Sequence, residues 1–478
     1  MLRKKTKIIA TIGPASNNDE VLEKMILGGM NIARLNFSHG DHKSHGELID
    51  LIRRVASKTG RHIGIMLDTK GPEIRLGDFV EKGVEIEKDD EFIITTEKVL
   101  GTKSKFSISF ASIIDEVSVD DILKIDDGEF ICKVKAVDIV KRELLAVALN
   151  SHFVKSRKGV NIPGVKLSLP YLSEADIADI TFGCEADVDF IAASFVRNKN
   201  DIHDLRGILS KNNRPNLPII AKIENKEGIK NLNEILAVCD GIMVARGDMG
   251  VEINVSEVPF IQKEIIEKCR LLGKPVIVAT QMLNSMQTNL IPTRAEVSDV
   301  SLAIAQGCDC VMLSGESASG KYPVESVEMQ TEIAIQTEKH LDHKLLASQS
   351  IASSDKTLSD AMMNAIATTA YLAEAKLIVC LNCDGLGVQN LAKARPSCSI
   401  LCITDSVHVA RRISIICGVV PRVEKNIPIK RLSHDKIDLL ARTFAAEFKS
   451  KKGDKVVVVG SVEREEGNFD LMRVIEIE

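Results

Sequence analysis

Tryptophan is absent from the 478 residues and tyrosine occurs only three times. That excludes a broad aromatic platform for stacking bases or sugars. Positive charge is not in surplus either: 62 Lys and Arg face 67 Asp and Glu, a net charge of −5. Without a basic field the chain has no general hold on nucleic acid or an anionic membrane, so an anionic ligand must be gripped by a local cluster. No apolar run reaches the ~18 residues of a membrane-spanning helix. After the basic start Met1-Leu-Arg-Lys-Lys5, the apolar stretch covers only Ile8–Ile12 before Gly13-Pro14, too short for a signal peptide. The eleven cysteines are odd in number and lie in apolar runs from Cys132 to Cys417. They read as reduced, core-filling thiols of a cytoplasmic protein. Cys380-Leu-Asn-Cys383 has no second pair to complete a zinc site.

What is present is a rhythm of strand and helix. Lys7–Gly13, Met30–Phe37 and His62–Asp68 read as strands. Between them lie a helix capped by Asn17 or Asn18 and ended at Gly28-Gly29, and a second over Asp41–Thr59 ended by Gly60. The rhythm resumes with strands at Val188–Phe195, Pro218–Glu224, Gly241–Ala245, Pro275–Thr280 and Cys310–Ser314. Ser173-Glu-Ala-Asp176 is a capping box that opens one of the helices. Eight such units close a (β/α)8 barrel. The interruption, about Gly71–Leu169, has short β-branched and aromatic runs at Val84–Glu87, Lys105–Phe110, Phe130–Val137 and Leu144–Leu149, with a hairpin turn at Asp126-Asp127-Gly128. It predicts an all-β lid inserted after the third barrel strand. A separate α/β unit follows from Lys344. The expected domains are 1–70 and 170–343 for the barrel, 71–169 for the lid and 344–478 for the C-terminal domain.

Barrel enzymes work at the C-terminal ends of their strands. Those ends carry Arg34, Asn36 and Ser38; Asp68 and Thr69; Lys222 and Glu224; Arg246, Gly247 and Asp248; Thr280; and Ser314 and Glu316. A barrel built only for stability has no need of such a rim. Lys222 and Glu224 are two apart on a strand and so face the same way, toward the mouth. Asp248 ends the next strand, and paired carboxylates beside a lysine suit Mg²⁺ or Mn²⁺ bridging phosphate oxygens. The turn Ala245-Arg246-Gly247-Asp248-Met249-Gly250 offers backbone N–H groups to a carboxylate or phosphate.

At these residues the chain resembles the pyruvate kinase family. The matching motifs include Lys7-Ile-Ile-Ala-Thr-Ile-Gly-Pro, Ala33-Arg-Leu-Asn-Phe-Ser-His-Gly40, Asp68-Thr-Lys-Gly-Pro-Glu-Ile-Arg75, Lys158-Gly-Val-Asn, Ile220-Ala-Lys-Ile-Glu-Asn225, Ala245-Arg-Gly-Asp248, Ala279-Thr-Gln-Met and Met312-Leu-Ser-Gly-Glu-Ser. They run in order over the first 330 residues or so, and the C-terminal domain matches more loosely. The resemblance implies Mg- and K-dependent phosphoryl transfer from phosphoenolpyruvate to ADP, giving pyruvate and ATP, by a homotetramer. It implies that Arg34, Lys222, the Ala245–Asp248 segment and Thr280 contact phosphoenolpyruvate, and that Glu224 and Asp248 hold Mg²⁺. Asn36, Ser38, Asp68 and Thr69 correspond to a K⁺ site, and Asn36, His39, Arg75 and Lys158 to nucleotide contacts. Thr280 or Ser314 would serve the protonation of the enolate. A barrel lyase or aldolase would share the Glu/Asp pair but would not require the lid, and a non-catalytic relative would not require Lys222, Glu224, Asp248 and Thr280.

Regulation is where the chain departs from its relatives. Members activated by sugar phosphates carry a Thr/Ser-rich loop where this sequence reads Asn382-Cys-Asp-Gly-Leu-Gly387. Asp384 sets a negative charge where a dianion would sit, a repulsion of about 1 kcal/mol or more at 4 Å even when screened. The later Gly467-Asn-Phe-Asp470 adds another carboxylate, while Lys393, Arg395, Arg411 and Arg412 leave room for an anion site of different shape. Fructose 1,6-bisphosphate at millimolar excess is therefore expected to leave half-saturation by phosphoenolpyruvate nearly unchanged. A several-fold drop, abolished by mutating residues 382–387, would count against this.

Overall fold

The computed structural model describes residues 4–352, 357–381, 385–424, 434–460, 469 and 471–478. Asn382–Asp384 and most of the Gly467–Asp470 loop, on which the effector reading rests, lie outside the described residues, as does Cys383. Eight parallel strands close a barrel: β1 (Lys7–Thr11), β2 (Ile32–Asn36), β3 (Gly64–Asp68), β4 (Phe190–Ala193), β5 (Ile219–Ile223), β6 (Gly241–Ala245), β7 (Val276–Ala279) and β8 (Cys310–Leu313). β8 returns beside β1, pairing Cys310 with Lys7. The caps behave as the sequence predicts. Asn18 accepts from the Val21 amide, Asp41 and Ser173 form capping boxes, and Gly60 ends its helix in the left-handed conformation.

Period-two alternation divides each strand between two environments. Ile8 and Ala10 on β1 pack outward against the helices, whereas Ile9 belongs to the barrel interior. The interior layer continues through Ile32, Met66, Phe190, Ile220, Met243, Ile277 and Cys310, all essentially buried. Residues of the same parity, two or four further along, are Thr11, Arg34, Asp68, Ser194, Lys222, Glu224 and Ser314. The apolar plug and the polar rim are thus one set of positions read from bottom to top.

The lid between β3 and β4 holds a seven-stranded sheet and a two-stranded ribbon, His152–Lys155 with Gly83–Ile86. Asp126, Asp127 and Gly128 all have positive φ (55°, 55° and 86°), as a tight hairpin turn requires. The lid also has strands at Ile74–Arg75, Glu91–Thr95, Ile122–Ile125, His152–Lys155 and Gly159–Asn161 that the sequence reading passed over, and one helical turn, Ile113–Glu116. It is mostly, not wholly, β.

The C-terminal domain is a five-stranded sheet in the order Val419–Val423, Ser399–Thr404, Leu377–Leu381, Lys455–Gly460, Leu471–Glu476, the last strand antiparallel. Its Ile413–Ile415 turn closes the foot of the barrel. There the Cys310 thiol donates to the Ile415 carbonyl at 3.2 Å, and a Cβ on Gly64 would meet Phe190 at 2.9 Å and Ser414 at 3.2 Å. Among the described residues no helix is long and apolar enough to cross a membrane.

A buried ion pair pins this junction. Asp309 accepts from Arg395 at 2.9 Å, from the Cys417 amide at 3.0 Å and from the Val276 amide at 3.1 Å. Removing one partner of such a pair costs about 3–5 kcal/mol, because the other charge stays buried. Asp309→Ala should therefore lower stability by about that much in chemical unfolding followed by circular dichroism. Adding Arg395→Met should recover a large part of the loss.

Candidate active site

The rim is organised by one carboxylate. Asp68, at the end of β3 and 1% exposed, accepts from Arg34 Nε at 2.6 Å, Lys222 Nζ at 3.1 Å and Ser194 Oγ at 3.1 Å. Lys222 also donates to Ser194 Oγ at 2.8 Å, and its Nζ stands 3.1 Å from Glu224 Oε1. Arg34 Nη1 reaches Thr11 Oγ1 at 3.0 Å, and that hydroxyl donates to the Leu313 carbonyl at 2.9 Å. A continuous polar arc therefore links the ends of β8, β1, β2, β3, β4 and β5. Burial works against the Asp68 charge, yet Arg34 and Lys222 outweigh it and hold the carboxyl below its ordinary range. For Lys222 burial again opposes the charge, and Asp68 and Glu224 more than compensate, so the ammonium is firmly protonated.

Glu224 is balanced differently. Burial lifts it, Lys222 only partly opposes that, Asp248 adds to the lift, and the carboxyl is raised to about 7. Its Oε2 accepts from the Phe195 amide at 2.6 Å, with Phe195 itself at φ 54°, a left-handed backbone that non-glycine residues adopt only under constraint. Its Oε1 is buried with no hydrogen-bond donor. The Lys222 ammonium is within ion-pair distance of that atom but off the line of a hydrogen bond. Asp248 is likewise raised, by burial first and then by Asp127 on the lid. Two desolvated carboxylates, one with an orphaned oxygen, fit a hard divalent cation.

Thr280 forms a second group with Gly247. At φ 66°, its hydroxyl accepts from the Gly247 amide at 2.9 Å and donates to the Ala279 carbonyl at 2.6 Å. Arg246 sits behind this loop: its guanidinium pairs with Asp299 at 2.7 Å and donates to the Thr280 carbonyl at 2.7 Å. A short helix, Arg246–Glu252, begins at this turn after Ala245. Ser314 closes the rim, its amide donating to Glu316 at 2.8 Å.

The residues read as nucleotide contacts lie apart from this network. His39 is exposed, and its carbonyl is 2.8 Å from the His45 ring. Asn36 accepts from the Ser38 amide at 3.2 Å and neighbours Asp68 in strand register. Thr69 is buried and accepts from the Ser194 amide at 3.1 Å. On the lid, Arg75 is paired with Glu73 at 2.7 Å and Lys158 with Asp126 at 2.6 Å. A cleft of about 540 Å³ separates lid and barrel, lined in part by Glu73, Asp127, Asn161, Asp248 and Glu252. The two bodies touch across it where Asn161 donates to Glu252 at 3.0 Å and Lys124 reaches the Val251 carbonyl.

Thr11 and Ser194 were absent from the sequence reading. Both were accessible to it, since each follows a buried apolar residue of interior parity at the C-terminal end of a barrel strand.

The fold and this rim define a (β/α)8-barrel enzyme whose mouth pairs cations with buried carboxylates. The family model of the pyruvate kinase barrel domain matches residues 3–327, and that of the pyruvate kinase alpha/beta domain matches residues 360–475. The chain belongs to the pyruvate kinase family and is a phosphotransferase. It is 45% identical over 474 residues to the pyruvate kinase of Geobacillus stearothermophilus, covering 99% of this chain and 80% of that one. It is also 45% identical over 473 residues to that of Staphylococcus aureus strain MRSA252, covering 98% and 80%. The crystal structure of a pyruvate kinase from Cryptosporidium parvum superposes with a TM-score of 0.92 at 37% identity, covering 99% of this chain and 96% of that one.

Ser194 supports Lys222 directly, and losing a hydrogen bond to a charged group costs about 1.5–3 kcal/mol. Ser194→Ala should lower kcat about tenfold or more with KM for phosphoenolpyruvate changed less than threefold, in steady-state assays of protein whose circular dichroism is unaltered.

Proposed function

We propose that the barrel mouth carries a phosphoryl group from phosphoenolpyruvate to ADP, with Mg²⁺ or Mn²⁺ and K⁺ as its ions. The observation that carries this reading is the Lys222 ammonium held between Asp68 and Glu224, beside a Glu224 oxygen that lacks a donor. Glu224 and Asp248 would hold the divalent ion, which supplies positive charge against the oxygens of a transferring phosphoryl group. Asn36, Ser38, Asp68 and Thr69, which lie at and just beyond the paired ends of β2 and β3, would hold K⁺.

Arg34 spends Nε on Asp68 and Nη1 on Thr11, which leaves Nη2 to bind and orient the substrate. Lys222 stabilises charge on the phosphoryl group and then on the enolate left behind. The Ala245–Asp248 turn receives the substrate's carboxylate, with Arg246 fixing the loop from behind rather than by its own charge. Thr280 or Ser314 would serve the protonation of the enolate, directly or through water. His39, Arg75 and Lys158, with Asn36, meet the nucleotide phosphates, which would draw Arg75 from Glu73 and Lys158 from Asp126. Closure of the lid excludes water that would otherwise take the phosphoryl group. We assign residues 1–70 and 170–343 to the barrel, 71–169 to the lid and 344–478 to the C-terminal domain, in a cytoplasmic homotetramer.

Lys222→Met should leave folding and phosphoenolpyruvate binding largely intact while lowering kcat by on the order of 10²–10³. A variant keeping more than about a tenth of the turnover, measured by coupled pyruvate formation, would remove Lys222 from this role. In the family motif a Glu at the position of Glu73 accompanies the K⁺-requiring type and a Lys accompanies independence, since a Lys ammonium would supply the positive charge that bound K⁺ otherwise supplies near Asp68. Activity in tetramethylammonium should fall steeply against K⁺, and Glu73→Lys should relax the requirement; equal rates in the two salts would refute the assignment.

A further inference from the structure

The loop 36–40, between β2 and the helix His42–Thr59, is tied to that helix by one side chain. His45, 6% exposed, lies on the helix's buried stripe with Ile49 and Ile52, and its Nε2 stands 2.8 Å from the His39 carbonyl. A carbonyl only accepts, so Nε2 carries the hydrogen. Nδ1 is buried without a partner. Burial holds the imidazole below its ordinary value, although the His39 carbonyl and Asp179 pull the other way. The ring is therefore neutral, with a single N–H to give.

The helix has no need of a histidine here for its own sake. Its start is already closed by the Asp41 and Ser44 capping box, and a leucine would fill the stripe without burying an unpaired nitrogen. The ring is held in place from the loop side instead. It stacks on Phe37, with centroids 3.9 Å apart and planes within 10°. Phe37 leans on Phe182 at 6.0 Å, and His42 stacks on that ring at 4.7 Å while pairing with Asp179 at 2.7 Å. At Gly40, where φ is 81°, a Cβ would come within 3.2 Å of His45 Nε2, so the chain passes close against the ring. The other end of the loop is held to β2. The Ser38 amide donates to Asn36 Oδ1 and the His39 amide to the Asn36 carbonyl, both at 3.2 Å. Between these two anchors the His39 residue is exposed.

We propose, on the reading of Asn36 and His39 as nucleotide contacts, that His45 is a positioning residue for ADP. Its Nε2–H fixes the His39 carbonyl, and with it the peptide plane and the direction in which the His39 side chain leaves the loop. Holding that loop before the nucleotide arrives removes an ordering cost that binding would otherwise carry. His45 itself touches neither substrate, so its effect falls on nucleotide affinity and not on the phosphoryl transfer.

The test is steady-state kinetics of His45→Phe and His45→Gln in the full-length protein. ADP is varied at saturating phosphoenolpyruvate, Mg²⁺ and K⁺, then phosphoenolpyruvate at saturating ADP. Phenylalanine keeps the stack on Phe37 but has no N–H. KM for ADP should rise by about fivefold or more, the worth of one neutral hydrogen bond, with kcat and KM for phosphoenolpyruvate within about twofold. Glutamine, whose amide can donate to the carbonyl from the position of Nε2, should bring KM for ADP back to within about twofold of wild type. If circular dichroism shows that the phenylalanine variant does not fold, His45→Asn, too short to reach the carbonyl, takes its place. His39→Ala should raise KM for ADP at least as much as His45→Phe. An unchanged KM for ADP in His39→Ala would refute the nucleotide reading and the proposal with it. A rise in His39→Ala alone, or equal losses in His45→Phe and His45→Gln, would make His45 a packing residue and overturn the proposal while leaving that reading intact.

Discussion

Asp68 is the residue on which the rim depends. A carboxylate with 1% exposure is sustainable only with charges and donors arranged around it, and here Arg34, Lys222 and Ser194 supply them from three other strands. The dependence runs both ways. Lys222 and Arg34 are themselves almost buried, and without Asp68 each would carry an uncompensated charge inside the barrel. The cations that suit a phosphorylated substrate are thus held in place by an acid that need not touch it.

The lid is coupled to this network through its first hinge. The chain leaves the barrel just after Asp68 and Thr69, and Gly71 takes φ 73° with its amide donating to Asp176 at 3.0 Å. A Cβ at Gly71 would lie 2.9 Å from that of Ser194, so the hinge rests on the residue that braces Lys222. Across the cleft the Asp126-Asp127-Gly128 turn approaches Asp248, and Asp127 is one of the charges that raises it. Lid and barrel therefore share charges as well as backbone, and the position of one body sets the electrostatics of the other.

Much of this was legible in the residues. The eight strands announced themselves through apolar runs bounded by capping residues and glycines, and the lid by its change to β-branched and aromatic composition. Most rim residues followed from the rule that chemistry lies at strand C-terminal ends. The lid strands that escaped notice are short or carry no alternation of their own; Gly159–Asn161 is a strand only because Ile74–Arg75 and Ile122–Ile125 flank it. The strand Val419–Val423 contains Pro421, which a central strand would not tolerate, and it lies at the sheet edge. Pairings such as Arg246 with Asp299, or Lys158 with Asp126, depend on contacts between distant segments and leave no local signature. The readings on residues 382–384 concern a segment beyond the described residues.

The Ile413–Ile415 turn that closes the foot of the barrel also has a consequence for how the chain is made. β8 ends at Leu313, so the last barrel strand leaves the ribosome about a hundred residues before the turn that covers its base. At ~5–20 residues per second that gap lasts on the order of ten seconds. During it the bottom layer of the barrel's packed interior, with Ile9, Ile32, Phe190 and Cys310, lacks the cover it has in the finished fold. The barrel is a complete ring well before its base is covered, and the nascent chain spends that interval with an apolar patch facing water there.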